Sequence, residues 1–365
     1  MTERVFNFSA GPAALPLPVL EQAQSELLAL PGVGASVLEI SHRSKAFTEI
    51  LDSTKQQLSD LLVLPDNYHI LFLQGGARLQ FSMIPMNLMG PDLEPPDYVL
   101  TGSWGKNAIA EAKKVGEVRV PWDGEETNYD RLPAPGELNL NSNAAYVHIT
   151  SNETIQGVQF PSEPDTGGAP LACDSSSDFL HRPLDITRYA LLYACAQKNA
   201  GPAGVTIVIM RDDLLSRSQD SLPGYMNYKT HADKDSLWNT PPAFSIYVVG
   251  LVAKWLKEEI GGLDKMYQIN CDKAKMLYEV IDASNGFYQG HAQAECRSVM
   301  NVTFKLADDR LEDKFLAEAE QHKLTTLKGH RSVGGFRASI YNAMPVEGVR
   351  TLRDFMKDFA AQNAS

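Results

Sequence analysis

The chain has 365 residues, 44% of them apolar, with 33 basic against 45 acidic side chains and a formal net charge of −12. That length exceeds one small core and predicts about two domains. The apolar share excludes a disordered chain, and the absence of any basic block leaves nucleic-acid binding without support. Cys173, Cys195, Cys271 and Cys296 have no zinc or CxxC spacing. No apolar run approaches a membrane span, and no signal-type segment follows Met1-Thr2-Glu3-Arg4. The expectation is a cytoplasmic protein with reduced thiols.

In chain order, Asn7-Phe8-Ser9-Ala10-Gly11-Pro12 is a turn-rich loop. Leu20, Ala23, Leu27 and Leu30 then recur at helical spacing until Pro31-Gly32. Ser41-His42-Arg43-Ser44 precedes a predicted helix over 46–62. His42 and Arg43 suit either capping and surface charge or an anion contact, because Arg offers fixed bidentate donors. An apolar strand at 70–73 runs into Gln74-Gly75-Gly76-Ala77-Arg78 and a further apolar stretch over 79–88. Strand, glycines and helix start make a plausible phosphate cradle. The spacing is neither GxGxxG nor GxxxxGK, so dinucleotide and P-loop binding are unsupported. A strand at 98–100 leads through Thr101-Gly102-Ser103-Trp104-Gly105 into a helix over 106–115. Trp104 is either core or a stacking platform for a flat ring. A short strand at 118–120, a polar loop over 121–143 and a strand at 145–149 follow, the last ending in the polar cluster Thr150-Ser151-Asn152-Glu153-Thr154.

Three apolar runs, 169–173, 189–195 and 205–210, read as buried strands. Asp174 ends the first, Gln197 and Lys198 follow the second, and a Gly/Pro turn precedes the third. An acid and a lysine at strand ends are placed for a crevice at a sheet's carboxyl edge. From this segment alone they suit either solvated charges or a Schiff-base lysine with an aspartate beside a cationic ring nitrogen. The strand-then-helix rhythm over 70–210 indicates an α/β sheet covered by helices. Residues 211–236 are polar and predict a surface segment. Thr240 suits an N-cap and Pro241 the N1 position of a helix whose buried side carries Ile246, Val249, Ala253, Leu256 and Ile260. Gly261-Gly262 is the best domain boundary. Beyond it, helices over 264–281, 309–322 and 346–359 alternate with strands over 299–306, 324–327 and 335–340, an α+β pattern. Arg331 and mid-strand Arg337 are its anion candidates. No HExxH or EF-hand pattern occurs, so a metal site is unsupported.

Taken together, FNFSAGPAALP, SHRS, LQGGARLQF, TGSW, SNETIQGVQF, CDSSSDFL, AQKNAGPAGVTIVI, WNTPPAFSIY and KGHRSVGGFRAS span nearly the whole chain. This set resembles the phosphoserine aminotransferase family, fold type I and class V among pyridoxal phosphate enzymes. The resemblance implies a large α/β domain over 16–262, with a mixed, mostly parallel sheet between helices. It implies a smaller α+β domain from 1–15 with 263–365. It makes Lys198 the Schiff-base lysine and proton carrier, and Asp174 the partner of the ring nitrogen. Trp104 would stack on the ring and Thr154 would bond its phenolic oxygen. Gly76, Ala77, Ser176 and Gln197 would surround the cofactor phosphate, with Asn239 and Thr240 reaching it from the neighbouring subunit. Arg337 would hold the substrate α-carboxylate. His42, Arg43 and Arg78 would form a distal anion pocket, joined by His330 and Arg331 across the interface. The implied reaction moves an amino group between L-glutamate and 3-phosphohydroxypyruvate in a homodimer with shared sites, and a side role in pyridoxine biosynthesis accompanies it. Ser175 and Cys195 depart from the family's usual methionine and glycine, and position 78 varies among relatives. The alternatives are another class V enzyme, such as an alanine–glyoxylate aminotransferase or a cysteine desulfurase, and an inactive scaffold. The former would not need the paired HR motifs at 42–43 and 330–331; the latter would not need Lys198, Asp174 and Trp104 together.

Overall fold

In the computed structural model, residues 4–364 are described; residues 1–3 and 365, including the start of the N-terminal segment, lie outside. Seven strands make the main sheet: β1 (Tyr68–Leu73), β2 (Asp97–Leu100), β3 (Arg119–Asp123), β4 (Val147–Thr150), β5 (Leu171–Asp174), β6 (Leu191–Cys195) and β7 (Thr206–Arg211). Their spatial order is β1-β7-β6-β5-β4-β2-β3. β2 to β6 run parallel, and β7 is antiparallel to both of its neighbours. The reason lies in the connection. Only 196–205 separates β6 from β7, too little chain for the crossover that a parallel pair requires. β4, β5 and β6 are buried along their whole length, as expected of a sheet covered on both faces.

The helices that cover this sheet are α1 (Leu17–Glu26), α2 (Lys45–Leu62), α3 (Gly76–Leu88), α4 (Ser103–Ala112) and α5 (Ala243–Trp255). α2 buries Phe47, Leu51, Thr54, Leu58 and Leu62 on one face. It meets α5 where Gly250 lies directly over Thr54; a Cβ there would sit 2.4 Å from the hydroxyl oxygen. α5 runs on through one π-turn, Leu256–Ile260, and stops where Gly261 and Gly262 take φ of +89° and +103°. Beyond them lie α6 (Leu263–Asp282), α7 (Glu312–Gln321) and α8 (Val346–Asn363). These pack on an antiparallel sheet of β8 (Tyr288–Gly290), β9 (Asn301–Leu306) and β10 (Phe336–Ser339). Phe304, Phe315, Phe336, Phe355 and Phe359 make its core. The start of the chain joins this unit. Phe6–Asn7 pairs with Leu324–Thr325, and Phe8 is buried in the same core.

Three expectations from sequence are corrected. α1 ends at Glu26, and Leu28 is 89% exposed; Leu30 is buried from a turn rather than a helix. Residues 211–236 are only in part a surface segment. They contain the helical turns Asp212–Leu215 and Tyr228–Asp233, and buried Tyr228 donates its hydroxyl to Gln80 Oε1 at 2.6 Å. Asp212, Asp213, Asp220 and Asp235 remain exposed. Thr240 is not the N-cap of α5, which begins only after Pro242. Each residue before a proline is held out of the helical region, so two successive prolines delay the start.

Candidate active site

Because β1, β2, β4, β5 and β6 share one direction, their carboxyl ends open on one edge of the sheet. Ligand crevices in α/β sheets lie at such an edge. A cavity of about 340 Å³ occupies it. Lys198 and Gln197 enter from the turn after β6, Asp174 from the end of β5, and Thr154 from the hairpin after β4. Trp104 enters from the first turn of α4, and Gly75, Gly76, Ala77 and Arg78 from the start of α3. Arg337 on β10 and His330 in the turn before it close the far side.

The lysine is oriented by two neighbours. Its Nζ donates to Thr154 Oγ1 at 2.7 Å and lies 5.1 Å from the centroid of the Trp104 ring. Gly11 passes so close that a Cβ there would come within 3.2 Å of Lys198 Cγ. Asp174 is 3% exposed, and its Oδ1 accepts the Ser176 N–H at 2.9 Å. Burial pushes the Asp174 carboxyl up from its ordinary range, and the nearby charge of Lys198 opposes that shift. Ser176 Oγ in turn accepts the Cys195 N–H at 3.2 Å, so these two elements of the phosphate side brace each other.

Arg337 Nη1 donates to the Thr154 carbonyl at 3.3 Å, the same residue whose hydroxyl receives Lys198. Arg78 lies over the other part of the site, 5.7 Å from the Trp104 centroid and 3.4 Å from Asn107 Oδ1. Burial, and then the charges of Arg337 and Arg331, hold the His330 imidazole below its usual pKa. Arg337 and His330 thus stand together on one wall of the cavity, with Arg78 beside Trp104.

Several observations fit pyridoxal phosphate to these walls. Gly76 has φ of +63° and open space where a side chain would stand. The N–H groups of a helix's first turn have no intrahelical partner and favour an anion. The buried Trp104 Nε1 has no hydrogen-bond partner, and Asp174 presents a carboxylate deep in the cavity. One chain does not gather every expected residue. His42, Arg43 and Arg331 are not on the cavity walls, whereas His330 lines the cavity of its own chain. The turn over 328–335 folds back through the Gly329–Gly335 hydrogen bond and brings His330 beside Arg337. Asn239 and Thr240 sit just outside, both bonded to Gln74: Asn239 Nδ2 donates to Gln74 Oε1 at 3.0 Å, and Gln74 Nε2 donates to the Thr240 carbonyl at 3.2 Å.

Sequence reasoning missed Glu153. It was one of five polar residues after a strand, yet it is fully buried and accepts the N–H groups of Trp104 and Gly105 at 2.9 and 2.8 Å. The only signal was an acid beside Thr154 in a polar run at a strand end.

Comparison with known proteins bears directly on this arrangement. The Aminotransferase class-V family model matches residues 5–352. A phosphoserine aminotransferase of Rhodopirellula baltica is 58% identical over 99% of this chain and 96% of its own length. The solved phosphoserine aminotransferase from Bacillus circulans subsp. alkalophilus superposes with a TM-score of 0.96 at 49% identity, covering 99% of each chain. A pyridoxal phosphate-bound phosphoserine aminotransferase from Trichomonas vaginalis gives a TM-score of 0.91 at 42% identity, over 97% of this chain and 100% of its own. With a lysine, a buried aspartate and a ring-sized cavity at the edge of a fold type I sheet, the chain belongs to the class V pyridoxal phosphate-dependent aminotransferases, in the phosphoserine aminotransferase family.

Proposed function

We propose that the chain transfers an amino group from L-glutamate to 3-phosphohydroxypyruvate, giving O-phospho-L-serine and 2-oxoglutarate, in serine biosynthesis. The observation that carries this reading is one cavity in which the Lys198 amine meets Thr154 at 2.7 Å while Arg78, His330 and Arg337 line the same space. A doubly acidic substrate needs cations at both of its ends.

Pyridoxal 5′-phosphate is the cofactor, and when bound it supplies an electron-withdrawing ring that accepts charge released at the substrate Cα. Lys198 would hold it covalently, and Asp174 would keep its ring nitrogen protonated. Trp104 would cover one ring face and Thr154 would bond the phenolic oxygen. Gly76, Ala77, Ser176 and Gln197 would take the phosphate, with Asn239 and Thr240 of the partner subunit. Lys198 Nζ then serves as the base that removes the Cα proton. Thr154 and Trp104 keep that amine aimed into the cavity. Arg337 anchors the α-carboxylate, which turns the Cα–H bond toward the amine. Arg78, His42 and Arg43, with His330 and Arg331, receive the distal phosphate or carboxylate.

A homodimer with shared sites belongs to this reading. It is supported by Trp238, 48% exposed beside Asn239, which is assigned to the neighbouring site, and by the position of Arg43 outside the one-chain cavity. The domain division is placed at 262, with 1–15 joining 263–365. Cytoplasmic residence and a part in pyridoxine biosynthesis complete the proposal. Among the described residues no helix is long and apolar enough to cross a membrane.

The decisive experiment is an amino-acceptor panel with glutamate as donor. The phosphorylated hydroxypyruvate should exceed glyoxylate and unphosphorylated hydroxypyruvate by at least a hundredfold in kcat/KM, and Lys198→Ala should abolish turnover and the cofactor-linked visible absorbance. Preference for glyoxylate, or full turnover by the lysine variant, would overturn the assignment.

A further inference from the structure

Three consecutive carbonyls behind the site each accept a hydrogen bond from a different buried asparagine. Phe179 O accepts from Asn199 Nδ2 at 2.7 Å, Leu180 O from Asn342 Nδ2 at 2.9 Å, and His181 O from Asn270 Nδ2 at 3.2 Å. The asparagines are also bonded to one another. The Asn342 N–H donates to Asn199 Oδ1, and Asn270 Nδ2 donates to Asn342 Oδ1, both at 2.8 Å. Asn199, Asn342 and Asn270 are 7%, 4% and 0% exposed, so water cannot replace these bonds cheaply.

The four segments joined here matter to the reaction. Asn199 follows Lys198 directly. Residues 179–181 lie in the turn that leaves Asp174. Asn342 lies three residues beyond β10, which carries Arg337, and Asn270 is on α6. Leu180 has φ of +61°, an unfavourable conformation for a leucine; the asparagine bonds on either side hold it there. One turn along α6, buried Lys273 fixes the Asn342 segment from its other side, donating to the carbonyls of Ile340, Tyr341 and Met344 at 2.9, 2.7 and 3.2 Å. At the front of the site, Lys198 and Arg337 meet again on Thr154. The amine and the guanidinium are thus tied at both ends.

We propose that Asn342, with Asn199 and Asn270, is a positioning residue that sets the separation of Lys198 Nζ and the Arg337 guanidinium, and through it the selection of substrates bearing an α-carboxylate. This rests on the reading of Arg337 as the α-carboxylate ligand. The two ligands that test it are 2-oxoglutarate and its analogue lacking the α-carboxylate, 4-oxobutanoate.

Their dissociation constants are measured by competition against glutamate in the holoenzyme, for the unaltered protein, Asn342→Ala, Asn270→Ala and Arg337→Ala. Arg337→Ala should collapse the preference for 2-oxoglutarate. Asn342→Ala, which removes the bond to the Leu180 carbonyl and the acceptor for Asn270, should narrow it at least fivefold, and Asn270→Ala, which spares the bond to the Leu180 carbonyl, should narrow it less. Amide hydrogen exchange of peptides covering 179–181 and 340–344 should rise in both asparagine variants. Equal weakening of the two ligands in Asn342→Ala, with Arg337→Ala behaving as expected, sinks the clamp alone; an unchanged preference in Arg337→Ala sinks both the clamp and the carboxylate reading beneath it. If Asn342→Ala does not fold, the same outcomes are read from Asn270→Ala.

Discussion

Glu153 holds Trp104 by its backbone. One carboxylate oxygen accepts the Trp104 N–H at 2.9 Å and the other accepts the Gly105 N–H at 2.8 Å. No lysine or arginine pairs with this buried acid among the described residues. The first-turn N–H groups of α4 and its dipole stand in their place. Burial still pushes the carboxyl up to about 7, against those two backbone bonds. The contact also explains Gly102, where a Cβ would come within 2.5 Å of Glu153 Cγ and Cδ. Glu153→Ala strands two buried donors, each costing about 1–3 kcal/mol. Gly102→Ala overpacks the same spot, at about 1–3 kcal/mol. Both variants should unfold at lower urea and retain less cofactor by absorbance. Unchanged midpoints and cofactor content would remove Glu153 from any part in placing the ring.

Asp174 carries opposite consequences for stability and activity. Its buried carboxyl has a raised pKa in the folded chain. The cost of burying its charge is therefore absent at low pH and fully present once the pH exceeds the folded value. Asp174→Asn keeps the shape and loses that charge. The cofactor-free variant should be at least as resistant to urea at pH 8 as the unaltered protein. Its kcat should nevertheless fall about 10- to 150-fold, the equivalent of a charge-assisted hydrogen bond of roughly 1.5–3 kcal/mol. An unaltered kcat at saturating cofactor counts against a ring-nitrogen partner.

The parts that sequence revealed are those written locally. The runs over 169–173, 189–195 and 205–210 are largely apolar and bounded by turn residues, so their strands and the lysine between them were legible. The parts it hid depend on distant chain. The polar stretch around Glu153 gives no hint that it ends against α4, about fifty residues earlier. Asn199, Asn270 and Asn342 look like ordinary turn or helix residues until the fold brings them onto 179–181. Thr240 has the composition of a cap, but the two prolines after it override that preference. His330 was expected only across an interface, and a local turn also brings it to its own chain's cavity.

His148 should make the fold sensitive to acid. It is buried on an inner strand of the sheet, stacked on Tyr98 with centroids 4.8 Å apart and bonded to the Tyr193 hydroxyl at 2.9 Å. Burial lowers its pKa from 6.5 to about 3. The stability it contributes is complete above the unfolded value and is lost as pH falls from about 6.5 toward 3, at about 1.4 kcal/mol per pH unit. Buried Glu153 and Asp178 act in the opposite sense, since their folded values of about 7 and about 6 exceed the ordinary ones. The total curve mixes these signs, so the difference between the protein and His148→Gln isolates the histidine. Urea unfolding from pH 7 to pH 4 should show the variant gaining relative stability as the pH drops. Parallel curves would mean that His148 binds its proton equally well in the folded and unfolded chain, so that burial does not oppose its charge.

Arg43 and Arg331 should serve one phosphate from two different chains. A phosphate monoester carries about −1.5 to −2 charge near neutral pH, and matching it takes several donors in fixed geometry. Within one chain the cavity offers Arg78, His330 and Arg337, while Arg43 and Arg331 are not on its walls. Arg331→Ala should weaken 3-phosphohydroxypyruvate by at least tenfold in KM and leave the cofactor absorbance in place. Glutamate, whose side carboxylate uses the same pocket, should suffer less. Arg337→Ala should hurt both substrates equally through their common α-carboxylate. The shared geometry permits a sharper measurement. When subunits of Arg43→Ala and Arg331→Ala are allowed to exchange, each mixed dimer has one pocket with both lesions and one with neither. Activity should return to about half that of the unaltered protein per mixed dimer. If both arginines instead serve the site of their own chain, every pocket in the mixed dimer keeps one lesion. Verified mixed dimers without recovered activity would show that Arg43 and Arg331 do not reach one pocket from two different chains.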